Sequence, residues 1–172
     1  MNERSLTVGE VLRYANHDFL NQLQLISMNL QLGNVEGAFQ QIEKFQQKSQ
    51  QTSKISKLQY QKTAEWLLTA CWRFSAVKLS VNIESSPYVN ANVDQTIASY
   101  LEHTIIHIYN ELDPFTEQFG TISWINDVIQ IHLQGKWAIN DRALKYEENT
   151  LIQVDILEHN ETQLKVVFTI KE

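Results

Sequence analysis

The sequence is poor in the residues that build specialised scaffolds. It has one cysteine, Cys71, among 172 residues. That excludes an intrachain disulfide framework, and a lone thiol fits a reducing compartment. Two prolines and five glycines exclude collagen-like, proline-rich and low-complexity designs. No apolar run approaches the roughly 20 residues that a membrane span needs. The opening residues, Met1-Asn2-Glu3-Arg4-Ser5, do not read as an export signal. A soluble, cytoplasmic protein without membrane contact is therefore expected. Basic residues are also few: 14 Lys and Arg stand against 20 Asp and Glu, a net charge of −6, which argues against nucleic acid as the main partner.

What is present reads as a globular chain. Hydrophobic residues make up 43% and charged residues 20%, the balance of a folded domain rather than a disordered segment. The length suits one domain or two small ones. Charge is unevenly spread. Residues 1–62 hold seven Lys or Arg and five Asp or Glu, a net +2, whereas residues 63–172 hold seven and fifteen, a net −8. The amino-terminal part is thus the one suited to an acidic partner surface.

Hydrophobic spacing predicts a helix over 6–32, with Leu12, Ala15, Phe19, Leu23, Ile26 and Leu30 along one stripe. Gly33 then suits a left-handed helix end and Asn34 the N-cap of a second helix. That helix carries Val35, Ala38, Phe39, Ile42, Phe45, Ser49 and Thr52 on its apolar side. So short a connection makes an antiparallel hairpin. The Gln-, Ser- and Lys-rich segment 47–61 reads as a fraying end or linker, placing a domain boundary near residue 60. Beyond it we expect a helix over 63–77, a strand over 79–83, a long helix over 92–112 stopped by Pro114, and a hairpin of 121–125 with 128–133 around Asn126-Asp127. A short helix over 139–147 and two strands, 151–157 and 164–170, complete the order. The expected fold is α+β: a helical hairpin, 1–60, followed by an α/β sandwich, 61–172, with its helices on one face of a mixed sheet.

His17 is the residue of chemical interest. At 100° per residue it lies roughly 150° from the apolar stripe of the first helix and points to solvent. Arg13 and Asn21 sit one turn before and after it, Gln24 and Met28 continue that face, and Asp18, one residue on, faces elsewhere. An ordinary imidazole, with a pKa of about 6.5, is mostly the neutral nucleophile at neutral pH, and an exposed one is open to a partner's phosphoryl group in line. Arg13 could contact phosphoryl oxygens, and Asn21 could orient the ring. On geometry alone an exposed helix histidine is more often plain surface; the residues around it sharpen the reading.

His17-Asp18-Phe19-Leu20-Asn21-Gln22-Leu23 resembles the phospho-acceptor box of sensor histidine kinases: His, an acid, two residues, Asn, one residue, Leu. The longer string from His17 through Gln24-Leu25-Ile26 to Leu30-Gln31-Leu32-Gly33-Asn34 resembles the sporulation-initiation phosphotransferase B family and the related hairpin of citrate/fumarate-type sensor kinases. The resemblance implies a homodimer whose hairpins form a four-helix bundle, and a carboxy-terminal domain shaped like a kinase ATPase domain but degenerate. It implies that His17 takes a phosphoryl group from the aspartate of a single-domain response regulator and passes it to a transcription-controlling one, in sporulation initiation. Asp18, Arg13 and Asn21 would support the histidine, and Tyr14, Asn16, Leu20 and Gln24 would meet the regulator. The family often has a basic residue just before the histidine; Asn16 stands there, and Arg13 is the substitute.

Residues 63–172 bear on whether the chain is a relay or a kinase. Phosphate-cradling loops of histidine kinases need clustered glycines, because backbone amides must approach the phosphates closely. Gly9, Gly33, Gly37, Gly120 and Gly135 are scattered, and Ser99 to His107 lacks the nucleotide-binding asparagine pattern. A relay without a cofactor of its own, using Mg²⁺ held by the partner regulator, is the reading favoured. A sensor-kinase-like protein and a non-enzymatic regulator-binding module stay open as alternatives. His103 and His107, four apart, have the spacing of a metal pair, but no His-Glu-x-x-His pattern or cysteine cluster supports zinc. His132 and His159 read as structural or surface residues, and the four tryptophans with Phe39 and Phe45 as core.

Overall fold

The computed structural model describes residues 6–85, 91–138 and 144–171. The elements follow as α1 (Val8–Gln31), α2 (Val35–Ser56), α3 (Gln61–Arg73), β1 (Val77–Ser85), α4 (Ala91–Tyr109), β2 (Gln118–Ile125), β3 (Val128–Gln134), β4 (Ile152–His159) and β5 (Gln163–Ile170). The chain divides into two compact units, Met1–Lys54 and Ile55–Glu172. The division falls a few residues ahead of the boundary expected near residue 60.

The first unit is the helical hairpin. Thr7 opens α1 with a reciprocal capping box: the Glu10 amide donates to the Thr7 hydroxyl at 3.3 Å, and the Glu10 carboxylate accepts from the Thr7 amide at 2.9 Å. Gly33 adopts φ +71° in the turn, where a side chain would be strained. Asn34 then caps α2, its side-chain oxygen accepting from the Gly37 amide at 3.0 Å. The turn chemistry is therefore as the sequence indicates. Segment 47–61 differs in part from expectation. It joins the two units as expected but is not frayed: α2 runs to Ser56, and Ile55, Leu58 and Tyr60 are buried in the core of the second unit. Their apolar side chains, spaced through a polar stretch, are what the composition of the segment concealed.

The second unit is a two-layer α+β sandwich. Its five-stranded sheet has the order β1-β2-β3-β5-β4. β1 and β2 run parallel across the α4 crossover, and every other neighbouring pair is antiparallel. Ile122 pairs with Ile131 and Ile131 with Val166 across the sheet, and all three are buried. Along β2, β3 and β5 burial alternates with the pleat, so one face is core and the other is largely polar. The core face is covered by Ala64, Trp66, Leu67 and Ala70 of α3 and by Val93, Ile97, Leu101, Ile105 and Ile108 of α4. Steps of three and four put these on one side of each helix, and each large aliphatic so buried contributes about 1.5–3 kcal/mol. Trp66, Trp124 and Trp137 are core residues. Asn126 makes the β2–β3 turn at φ 50°, as its sequence position suggests. Of the helix expected over 139–147, residues 139–143 lie outside the described residues and 144–147 form no helix.

Polar contacts join α3 to α4. Asp94 of α4 accepts from the Lys62 and Thr63 amides, each at 2.8 Å, and from the Thr63 hydroxyl at 2.8 Å, so it caps the first turn of α3 from another helix. The Glu102 carboxylate accepts from Trp66 Nε1 at 2.8 Å and pairs with Arg73. Asp94→Ala strips the cap and leaves the buried Thr63 hydroxyl with only the Asp94 carbonyl, 3.1 Å away. A loss of about 2 kcal/mol is expected, read as a lower urea midpoint at unchanged m-value. A loss under about 0.5 kcal/mol would contradict this role for the carboxylate.

Candidate functional site

His17 lies on α1 with its side chain 70% exposed. Its ring is flanked rather than enclosed. Asn21, one turn on, places Nδ2 3.3 Å from His17 Nδ1, as i,i+4 spacing allows. Asp18 departs from expectation. Although adjacent residues diverge by about 100° around a helix, its Oδ1 lies 3.7 Å from His17 Nδ1. A short side chain bending back along the helix surface accounts for the approach. The other Asp18 oxygen accepts from Lys48 Nζ of α2 at 3.3 Å. Nδ1 is thus faced by a carboxamide and a carboxylate. Among the described residues Nε2 has no hydrogen-bond partner.

This arrangement assigns different tasks to the two ring nitrogens. A carboxamide offers a donor at one end and an acceptor at the other, so Asn21 can pair with Nδ1 in either tautomer. As placed, Asn21 Nδ2 donates to Nδ1; with the amide turned over, its Oδ1 accepts from Nδ1–H, and the Nε2 lone pair is then directed at solvent. Lys48 is a cation that the sequence analysis missed. Its signal was present: Asp18 and Lys48 are equidistant from Gly33, and residues equidistant from the turn of an antiparallel hairpin face each other.

Arg13 is placed otherwise than its spacing suggests. Its guanidinium carbon lies 5.3 Å from the Tyr14 ring centroid, a cation–π arrangement, and no described hydrogen bond or ion pair joins it to His17. Leu20, Asn21, Gln24 and Met28 lie within about 60° of His17 around the helix, and all four are exposed. Tyr14 is half-buried, and Asn16 is exposed about 100° away on the helix wheel.

The apolar stripe of α1 is not covered by the chain itself. No residue of α1 is buried, and Leu12, Phe19, Leu20, Leu23, Met28 and Leu30 are all exposed. Within the single chain Phe39 is likewise 59% exposed and not part of its core. Two helices side by side shield only the seam between them, where Phe19 and Phe45 meet at a centroid distance of 6.0 Å.

In the second unit, both glycines lie against packed side chains. A Cβ at Gly120 would lie 2.5 Å from Leu79 Cδ2, and one at Gly135 would lie 1.6 Å from Gln118 Oε1. Both glycines make room for packed side chains. Gln118 is buried and bonds the Asp113, Thr116 and Lys136 backbone. An open depression of about 590 Å³ is lined by Tyr146 to Thr150 and by Ile152, Val154 and Ile156. Its charged lining residues, Glu147 and Glu148, would repel a polyphosphate. His132 Nε2 lies 3.2 Å from Gln163 Oε1, the structural part expected of it. His159 has a different neighbour, His107, taken up below.

The class these elements define is α+β, a helical hairpin followed by a mixed-sheet sandwich. Residues 1–58, about a third of the chain, match the family model "Sensor kinase SpoOB-type, alpha-helical domain". This match supports a two-component signalling protein. No curated protein sequence matches the chain significantly. Among solved structures, the Acinetobacter baumannii histidine kinase AdeS is similar at 11% identity over 90% of this chain and 97% of that one, with a TM-score of 0.42. The Erythrobacter litoralis EL346 blue-light activated histidine kinase is similar at 10% identity over 99% of this chain and 61% of that one, with a TM-score of 0.42. The catalytic domain of the histidine kinase ThkA is similar at 10% identity over 62% of this chain and 86% of that one, with a TM-score of 0.34. Similarity at this level says nothing of activity. No helix among the described residues is long and apolar enough to cross a membrane.

Proposed function

We propose that the chain is a phosphorelay histidine phosphotransferase of a two-component system, carrying phosphoryl groups on His17 between response regulators that control sporulation initiation. The observation that carries this reading is the exposed His17 ring, with Asn21 within hydrogen-bond distance of Nδ1, the Asp18 carboxylate 3.7 Å from it, and Nε2 without a partner among the described residues. In the forward step the Nε2 lone pair attacks the phosphorus of a regulator's aspartyl phosphate. The N–P bond forms, the acyl P–O bond breaks, and the regulator's carboxylate leaves with the electron pair. The Asn21 carboxamide, turned to present its oxygen, accepts the Nδ1 proton, and the Asp18 carboxylate 3.7 Å away stabilises the positive ring as the bond forms. The reverse step, with the second regulator's carboxylate as nucleophile, hands the group on. Mg²⁺ belongs to the partner's aspartate pocket, since no described cluster of carboxylates surrounds His17.

The relay reading is supported over a kinase by the packing at Gly120 and Gly135. The space beside each glycine is taken by the Leu79 or Gln118 side chain and not left for a ligand. The test presents the protein with two donors. Incubation with a phosphorylated response regulator should yield alkali-stable, acid-labile phosphate on His17, whereas ATP and Mg²⁺ alone should not. Stoichiometric labelling from ATP alone would overturn the relay in favour of a kinase. No labelling from either donor would favour a module that only binds regulators.

The proposed assembly is a homodimer. The bare apolar stripe of α1 and the exposed Phe39 of α2 supply the surface that a second hairpin would cover in a four-helix bundle. His17 would project outward once per subunit, with Leu20 and Gln24 beside it for the regulator.

A further inference from the structure

Two of the four histidines of the second unit form a pair that their sequence spacing does not announce. His107 is near the end of α4 and His159 ends β4, yet their Nε2 atoms lie 3.3 Å apart. Both residues are half-buried. The ring centroids are 5.0 Å apart at an interplanar angle of 60°. A head-on N–H···N bond of this length would hold the centroids about 0.6 Å further apart, so the two rings are inclined to each other rather than collinear. Two imidazole nitrogens that each sit about 2.0–2.1 Å from one tetrahedral zinc are themselves about 3.3–3.4 Å apart. The observed separation is the bite of such a pair.

The described neighbourhood supplies no third ligand. His103 does not complete the helix pair suggested by its spacing; its ring packs edge-on to Tyr146 at 5.5 Å. Among the described residues no group of three or more His, Cys, Asp or Glu has metal-holding geometry. Two protein nitrogens with water at the remaining positions suit a borderline cation that prefers imidazole, zinc or nickel rather than magnesium or calcium.

We propose that His107 and His159 bind a divalent late first-row transition metal that ties the end of α4 to the end of β4. The inference is independent of the relay reading, since it concerns the second unit and not His17. The test is calorimetric titration of the full chain with zinc chloride, with magnesium chloride as control. One zinc per chain is expected, with no magnesium binding. His107→Gln and His159→Gln, which keep bulk and polarity, should each weaken zinc binding by at least about 100-fold, beyond the 10–100-fold typical of outer-shell changes. Zinc should raise the thermal midpoint of the wild type and not of either variant. His17→Ala should bind zinc as the wild type does. Absence of stoichiometric zinc binding, or retention of wild-type affinity in either glutamine variant, overturns the site. Loss of binding in His103→Ala with retention in His159→Gln would place the metal on the helix pair and overturn the assignment equally.

Discussion

His17→Ala is expected to abolish phosphoryl transfer between regulators, lowering the rate at least about a thousandfold, because it removes the covalent nucleophile itself. His17→Gln should do the same, since a carboxamide has hydrogen-bonding capacity but no comparable lone pair. The flanking residues should matter less and in order. Asn21→Ala removes one hydrogen bond to Nδ1, about 1–1.5 kcal/mol and so about tenfold in rate. Asp18→Asn keeps the shape but removes the charge beside Nδ1, and should slow transfer without ending it. Lys48→Ala acts only through Asp18, an exposed pair, and should change the rate by no more than a fewfold. Arg13→Ala separates the two placements of that side chain. If Arg13 swings from Tyr14 to the phosphoryl group in the complex, transfer slows; if it stays over the ring, the rate is unchanged. Transfer at the wild-type rate by either His17 variant would end the relay reading.

The second large effect concerns assembly. Phe19→Asp puts a carboxylate on the apolar stripe of α1, at a residue still 46% exposed in the single chain although it touches Phe45. On the proposed bundle this residue is buried by the second hairpin. A charge there would lose the transfer energy of the ring and pay for an unpaired buried carboxylate, several kcal/mol in each subunit. The variant should sediment as a monomer or unfold its hairpin, and phosphoryl transfer should fall with it. The second unit, with its own core, should keep its near-ultraviolet circular dichroism. Ile26→Asp should behave alike. Leu20→Gln lies on the His17 side and should disturb regulator binding more than dimerisation. A wild-type chain that sediments as an active monomer at micromolar concentration would contradict the bundle while leaving the chemistry of His17 in place.

Much of the architecture could be read without coordinates, and the misses have physical causes. Both hairpin helices, their turn at Gly33 and Asn34, α3, α4 and all five strands follow from local signals: apolar period, caps and turn residues. The capping box at Thr7 and Glu10 is a local signal of the same kind. The carboxy-terminal part of α2 was not legible, because Gln, Ser and Lys dominate 47–57 and hide the anchors Ile55 and Leu58. The sheet order was beyond local reading too. Nothing in the spacing of β4 says that it pairs outside β5 and away from β3.

The sequence by itself determined that His17 would face solvent, since its angle from the apolar stripe is a property of the helix repeat alone. It likewise determined which residues could cluster one turn either side. Only the tertiary structure decided what meets the ring. Asp18 turns toward Nδ1 while bonding Lys48, thirty residues away; Arg13 goes to Tyr14; and His107 finds His159 across the fold and not His103 on its own helix. Periodicity fixes the direction in which a side chain leaves its own backbone. Its partners depend on which other backbone is brought alongside: for Asp18 that is the facing helix of the hairpin, and for His107 it is settled by the burial of residues such as Ile105, Val166 and Phe168 in the second unit.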